Sequence, residues 1–160
     1  MPPFRVGVGY DAHRLVPGRP LVLGGLTIPH TTGLLGHSDA DVLVHVIIDA
    51  LIGAANLGSI GLLFPDTDPQ YKGIASVKLL EQVMHRVRDT GYELGNVDTV
   101  LVAQAPKLMP YRDAMQTNVA KVLGVDSMQV SIKATTTETL GFEGRSEGIS
   151  AHAVAVLYRV

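Results

Sequence analysis

Between Val42 and Leu57 the chain is apolar almost without interruption, and His45 and Asp49 are set inside that run. The run is too short and too polar at its centre for a membrane span, so it belongs in a protein core. Leu43, Val46, Ile47, Ala50, Leu51 and Ala54 recur every three or four residues. That spacing predicts a helix from Ser38 to about Leu57 with one apolar stripe. Ser38 is expected as its N-cap, with Asp41 three residues on in the place of a capping-box Glu. The rest of the chain must supply what covers this stripe.

A chain of 160 residues with 46% hydrophobic residues is long enough to bury one core, so residues 1–160 are expected to form a single catalytic domain. Charged residues make up only 18%, which suggests that part of the surface is hidden against copies of the same chain. A net charge of −2 gives no basic field, so no nucleic acid is expected as partner. There is no cysteine, which excludes disulfides, a thiol nucleophile and a Cys-based zinc finger. The opening Met1 to Arg5 lacks the regions of a signal peptide. A cytoplasmic protein without a membrane segment is expected.

Alternation over Phe4–Tyr10 predicts a strand, and glycine at positions 7 and 9 suggests close approach of a backbone or ligand there. Further strands are predicted at Pro20–Ile28, Val97–Ala103, Gln129–Ala134 and Ile149–Tyr158. Gly33–Gly36 and Asn56–Tyr71 are predicted loops. A second helix is expected from Ile74 to Thr90, stopped by Gly91, and a third opens at Pro110 and ends at Gly124. The order β-β-α-α-β-α-β-β describes a mixed sheet covered by helices on one side, class α+β.

Asp11 and His13, two apart at a strand end, point the same way and suit a divalent metal, although such a dipeptide is also common in surface turns. Asp41, His45 and Asp49 are four apart and share a helix face. His45 is then either a core histidine bonded to one of those carboxylates or a third ligand completing Asp-His-His. His37, just before the helix, is either an exposed loop histidine or an imidazole where a helix N-terminus stabilises anions. The run Thr135-Thr136-Thr137-Glu138 follows a strand, with Lys133 just before it. These residues form either a threonine ladder or a phosphate site, in which the carboxylate takes Mg²⁺. Phe64 to Pro69 is a specificity loop or a rigid turn. Arg145, in a glycine-rich run, binds an anion or pairs with Glu143 or Glu147.

Taken together and in order, Asp11-x-His13, His37-Ser38-Asp39-x-Asp41, His45, Phe64-Pro65-Asp66-Thr67-Asp68, Gly95-Asn96-Val97-Asp98, Ala103-Gln104-Ala105-Pro106-Lys107, Thr135-Thr136-Thr137-Glu138 and Gly144-Arg145-x-Glu147-Gly148 resemble the 2-C-methyl-D-erythritol 2,4-cyclodiphosphate synthase family. The resemblance runs from Gly9 to Ala153. It implies an enzyme of the non-mevalonate route to isoprenoid precursors, a metal-dependent phosphorus–oxygen lyase. Such an enzyme converts 4-diphosphocytidyl-2-C-methyl-D-erythritol 2-phosphate to the cyclic diphosphate and CMP. It implies a ferredoxin-like, bacillus chorismate mutase-like homotrimer with active sites between adjacent subunits. By the same resemblance Asp11, His13 and His45 hold zinc, and Glu138 holds a second metal, Mg²⁺ or Mn²⁺, on the diphosphate. His37 and Thr136 match transition-state positions. Ser38, Ser59, Ile60 and Gly61, the loop Phe64, Pro65, Asp66, Thr67 and Asp68, and Phe142 and Arg145 match substrate-binding positions. So do Thr135, Thr137 and the cytidine loop Ala103, Gln104, Ala105, Pro106, Lys107, Leu108 and Met109.

The chain departs from the family at two places. Ser59 stands where an Asp that holds the erythritol hydroxyls is usual, and its hydroxyl can donate and accept a hydrogen bond but brings no charge, while Ala40 stands where Gly is common, a mild change inside the helix start. A non-catalytic trimer holding an isoprenoid diphosphate in a central channel near Arg145 and Glu147 is a competing reading, as is a metal hydrolase giving a linear product.

Overall fold

A computed structural model describes residues 2–160. Its centre is a five-stranded mixed sheet in the order β4-β1-β7-β5-β6, built from β1 (Phe4–Pro17), β4 (Thr32–Leu34), β5 (Tyr92–Val102), β6 (Val130–Thr135) and β7 (Gly148–Arg159). Only β5 and β6 run parallel. A separate short hairpin joins β2 (Leu21–Leu23) to β3 (Leu26–Ile28). The helices are α1 (Val42–Ala55), the one-turn α2 (Ile60–Leu63), α3 (Ser76–Asp89), α4 (Arg112–Leu123) and the one-turn α5 (Gly141–Gly144). The α+β expectation holds, with the long helices on one face of the sheet.

Packing starts at β1. Its odd-numbered residues face the helices, and at Gly7 and Gly9 the α1 backbone comes down onto the strand. A Cβ at Gly7 would lie 1.9 Å from the Ala50 carbonyl oxygen, and one at Gly9 would lie 2.0 Å from that of Val46. The close approach read from these glycines is therefore that of a helix. It buries α1 on nearly every side, since α3 and the β2–β3 hairpin cover what the sheet does not. Val42, Val44, Ile48 and Ile52 are as buried as the expected stripe, so the one-stripe reading is too narrow. Truncating one of these, such as Ile48→Ala, costs about 2–5 kcal/mol.

Several boundaries differ from expectation. The helix begins at Val42, and its N-cap is Asp41 rather than Ser38. Ala40 takes φ 58°, which stops the helix from extending back towards Ser38. It lies outside the helix, in a left-handed conformation that costs a residue with a Cβ about 1–2 kcal/mol, and that is why glycine suits the position. Asp41 accepts the Val44 N–H at 3.1 Å and also those of Gly24 at 3.0 Å and Gly25 at 2.7 Å, so it pins the hairpin turn to the helix end. Pro20–Ile28 is a hairpin rather than one strand, because Gly24 and Gly25 both have positive φ. β1 continues to Pro17, and the presumed loop at Gly33–Gly36 contributes β4, which pairs with it. The Asn56–Tyr71 segment contains α2 and a 3₁₀ turn at Pro69–Tyr71.

A candidate metal centre in an open pocket

Asp11 and His13 continue the row of β1 that begins with Gly7 and Gly9, and therefore meet α1 near its N-terminal end, at His45, the residue before Val46. One donor atom from each of Asp11, His13 and His45 lies within 4.8 Å of the others. The Asp11 Oδ2 is 2.8 Å from His13 Nε2 and 3.1 Å from His45 Nδ1, and the two ring nitrogens are 3.1 Å apart. Both rings are held from behind. His13 Nδ1 is 2.8 Å from the carbonyl oxygen of Leu35, which can only accept, so Nδ1 carries the proton. His45 Nε2 is 2.9 Å from Ser76 Oγ and 3.2 Å from Ser38 Oγ. A carboxylate and two imidazoles converging in this way are a donor set for a divalent cation, with a further position open to the pocket.

The electrostatics agree. Burial alone would push the Asp11 carboxyl up, but hydrogen bonds and positive charge from His13 and His45 overcome it and hold the group well below the usual carboxylate range. His13 is depressed by its own burial, yet Asp11 wins and raises it above the ordinary imidazole value. A carboxylate that stabilises positive charge on the His13 ring also suits a cation among the three groups.

The reading of His45 as bonded to Asp41 or Asp49 does not hold. Asp41 is fully buried and turned to the hairpin, and Asp49 faces the pocket with its Oδ2 3.4 Å from the Tyr10 N–H. Asp49 is pushed above the usual range by burial and by the charge of Asp11.

The pocket measures about 540 Å³ and is lined by Asp11, His13, His37, Ser38, His45, Ile60, Gly61, Phe64 and Asp66 among others. His37 donates from Nε2 to the carbonyl oxygen of Asp68 at 3.2 Å, which ties it to the Phe64–Asp68 loop. Pro65, Thr67 and Asp68 belong to that loop without lining the pocket, and Asp68 caps the following 3₁₀ turn through the Gln70 N–H. Ser59 is exposed and also outside the lining; its hydroxyl caps α2 by accepting the Leu62 N–H at 3.3 Å. Tyr10, Gly36, Tyr71 and Leu79 line the pocket with no signal in the sequence.

The second group lies at the same end of the sheet but apart. Ala103–Met109 leaves β5 and Thr135–Glu138 leaves β6, and Ala103 N–H bonds the Thr135 carbonyl at 3.0 Å. None of these residues lines the pocket. From β6 to β1 is three strand steps, about 14 Å at about 4.8 Å each. Here Thr136 Oγ1 accepts the Glu138 N–H at 3.1 Å, and Gln104 Oε1 accepts the Thr139 N–H at 3.2 Å, knitting the two loops together. Glu138 and Thr139 have φ of 53° and 69°. A threonine in that region is strained, and such strain gathers at functional sites. Phe142 lines a small hollow with Ala12, His13 and Gly148, and Arg145 pairs with Glu147 at 3.1 Å rather than Glu143.

An α+β sheet with a carboxylate–imidazole–imidazole cluster in the wall of an open pocket defines the class, a small domain with a donor set able to hold a cation. The chain belongs to the YgbB family, whose profile matches residues 4–158. It is 63% identical over 154 residues to the 2-C-methyl-D-erythritol 2,4-cyclodiphosphate synthase of Desulforamulus reducens, covering 96% of this chain and 98% of the relative. It is 59% identical over 157 residues to the enzyme of the same name from Desulfitobacterium hafniense, covering 98% and 99%. The IspF of Plasmodium falciparum in complex with CDP superposes with a TM-score of 0.86 at 33% identity, over 98% of this chain and 96% of that one.

Proposed function

We propose that the chain is a 2-C-methyl-D-erythritol 2,4-cyclodiphosphate synthase of isoprenoid precursor biosynthesis. The convergence of Asp11, His13 and His45 inside the pocket carries this reading, because cyclisation brings two phosphates together and needs local positive charge. The 2-phosphate oxygen of the substrate attacks the β-phosphorus, the bond from that phosphorus to the α-phosphate oxygen breaks, and CMP leaves. No protein nucleophile is required, which agrees with a chain without cysteine.

Zinc at Asp11, His13 and His45, and Mg²⁺ or Mn²⁺ at Glu138, would offset the negative charge of the reacting phosphates. The chain's own part is orientation. Ile60, Gly61 and the Phe64–Asp68 loop hold the erythritol end, His37 and Ser38 face the phosphates, and Ala103–Met109 takes the cytidine. Thr136, whose oxygen accepts the Glu138 N–H, keeps its own proton to donate to a phosphate oxygen. Phe142 and Arg145 are further substrate contacts.

Two observations support a homotrimer with the site shared between neighbours. The metal pocket and the nucleotide loops lie apart in one copy. The sheet face away from the helices is uncovered and apolar, with Phe4, Val6 and Val8 each about two-thirds exposed and Val154 and Tyr158 beside them. A neighbouring copy that covers this face brings its nucleotide loops to the metal pocket.

Phosphorus NMR of the product tests the function. The cyclic diphosphate and CMP are expected with metal present and neither with chelator; a linear product means a hydrolase.

A further inference from the structure

We infer that Asp39 is a positioning residue of the metal centre, acting on His45 through the hydroxyl of Ser76. Ser76 opens α3 and is fully buried. Its hydroxyl proton is directed to Asp39 Oδ1 in a short hydrogen bond. Asp39 Oδ2 accepts the Ser76 N–H at 3.1 Å, and Oδ1 also accepts the Asp41 N–H at 3.2 Å. The carboxylate is therefore locked in place and offers Ser76 only acceptor atoms. With its one proton committed, Ser76 Oγ presents a lone pair to His45 Nε2 at 2.9 Å.

That arrangement decides the tautomer. In the neutral ring, the form that binds a metal, Nε2 is the protonated nitrogen and the Nδ1 lone pair is left facing Asp11 and His13. Leu35 does the same for His13 from the other side of the site, through a carbonyl instead of a hydroxyl. Ser38 Oγ, 3.2 Å from His45 Nε2, is not a substitute, because no carboxylate fixes its proton; it already accepts the Ala40 N–H at 3.1 Å and lies 3.3 Å from Ser76 Oγ. A hydrogen-bond partner of this kind orients a ligating imidazole and raises its basicity.

The relay rests on the metal reading of Asp11, His13 and His45, and the test separates the two. Zn²⁺ affinity is measured by chelator competition for the full-length protein and for Ser76→Ala, Asp39→Asn and the double variant, with thermal melting of each metal-free protein alongside. Exchange of the His45 Nε2–H is followed by NMR in the Cd²⁺-loaded protein. Each single variant is expected to weaken Zn²⁺ binding by about 10- to 100-fold. The Asp39→Asn loss should vanish in the Ser76→Ala background, since both act through one hydroxyl. Faster exchange of the Nε2–H in Ser76→Ala, with the metal-free melt little changed, is the signature that a merely structural role would not give. Losses that multiply in the double variant overturn the relay, as does Ser76→Ala binding within about twofold of wild type. If Asp39→Asn does not fold, the Ser76→Ala affinity and exchange decide alone. A wild-type protein that takes up no Zn²⁺ overturns the metal reading itself.

Discussion

The Nδ1 of His13 lies 2.8 Å from the carbonyl oxygen of Leu35, and this contact turns the other ring nitrogen towards Asp11 and His45. β4 and the chain after it thus orient a residue of β1, and the site depends on that edge pairing as much as on the donors themselves.

Replacing His13 with Ala should remove one of three donors without touching the core, since the side chain lies at the pocket wall. Retained zinc and turnover should fall together, each by at least about 100-fold, with metal analysis after dialysis and CMP release as the readouts. Far-UV circular dichroism should be unchanged. Full zinc content in the variant would mean that the cation is held elsewhere.

Proton and metal compete for His13. Its imidazole is raised above the ordinary 6.5 by Asp11, against the effect of its burial. Zinc affinity should therefore climb as pH rises through about 6.5 and level off only above the raised value. The metal-free ion pair has the opposite slope. Its contribution is fully present below the unfolded imidazole value and is lost as pH rises through the folded one. Asp11, held low, stays ionised throughout that window. The melting-temperature difference between metal-free wild type and Asp11→Asn should shrink as pH rises above 6.5 through the raised imidazole value.

Gly9→Ala places a Cβ 2.0 Å from the Val46 carbonyl oxygen, so α1 must lift from β1. Overpacking of this kind costs about 1–3 kcal/mol or more. A lower melting temperature is expected, together with weaker zinc binding, because α1 carries His45. A variant that melts like wild type would refute the close contact.

Glu138→Gln keeps size and removes charge at an exposed loop. Turnover should drop sharply and lose its Mg²⁺ dependence, while stability stays within about 0.5 kcal/mol. Thr136→Ala should lower kcat more than it raises KM. Intact turnover of Glu138→Gln at every Mg²⁺ concentration would leave the carboxylate without a metal role.

Val8, 70% exposed on the uncovered sheet face, can become Lys without disturbing the core of one copy. Light scattering should show the assembly breaking down, with zinc affinity kept and turnover lost. A Val8→Lys protein of unchanged mass and activity would place the copy–copy contact on another surface.

Periodicity and residue chemistry determined a good deal here. The long apolar run had to be a core helix, the alternation before Asp11 had to be a strand, and glycine at 7 and 9 had to admit something close. Asp11-x-His13 and His45 were legible as donors because their spacing puts them on defined faces. The sequence could not say whether His45 met a carboxylate on its own helix or donors from β1, since that depends on how far α1 descends onto the strand. The backbone contacts at Gly7 and Gly9 decided it. Nor could it place the helix start, because Ser38 and Asp41 both have capping side chains; the left-handed Ala40 and the N–H groups of the turn at Gly24–Gly25 selected Asp41. Ser76 and Leu35 carry no metal signal at all. They reach the two rings only because α3 and the chain after β4 pack around the same end of the sheet, and contacts between residues this far apart are set by tertiary packing, not by local pattern.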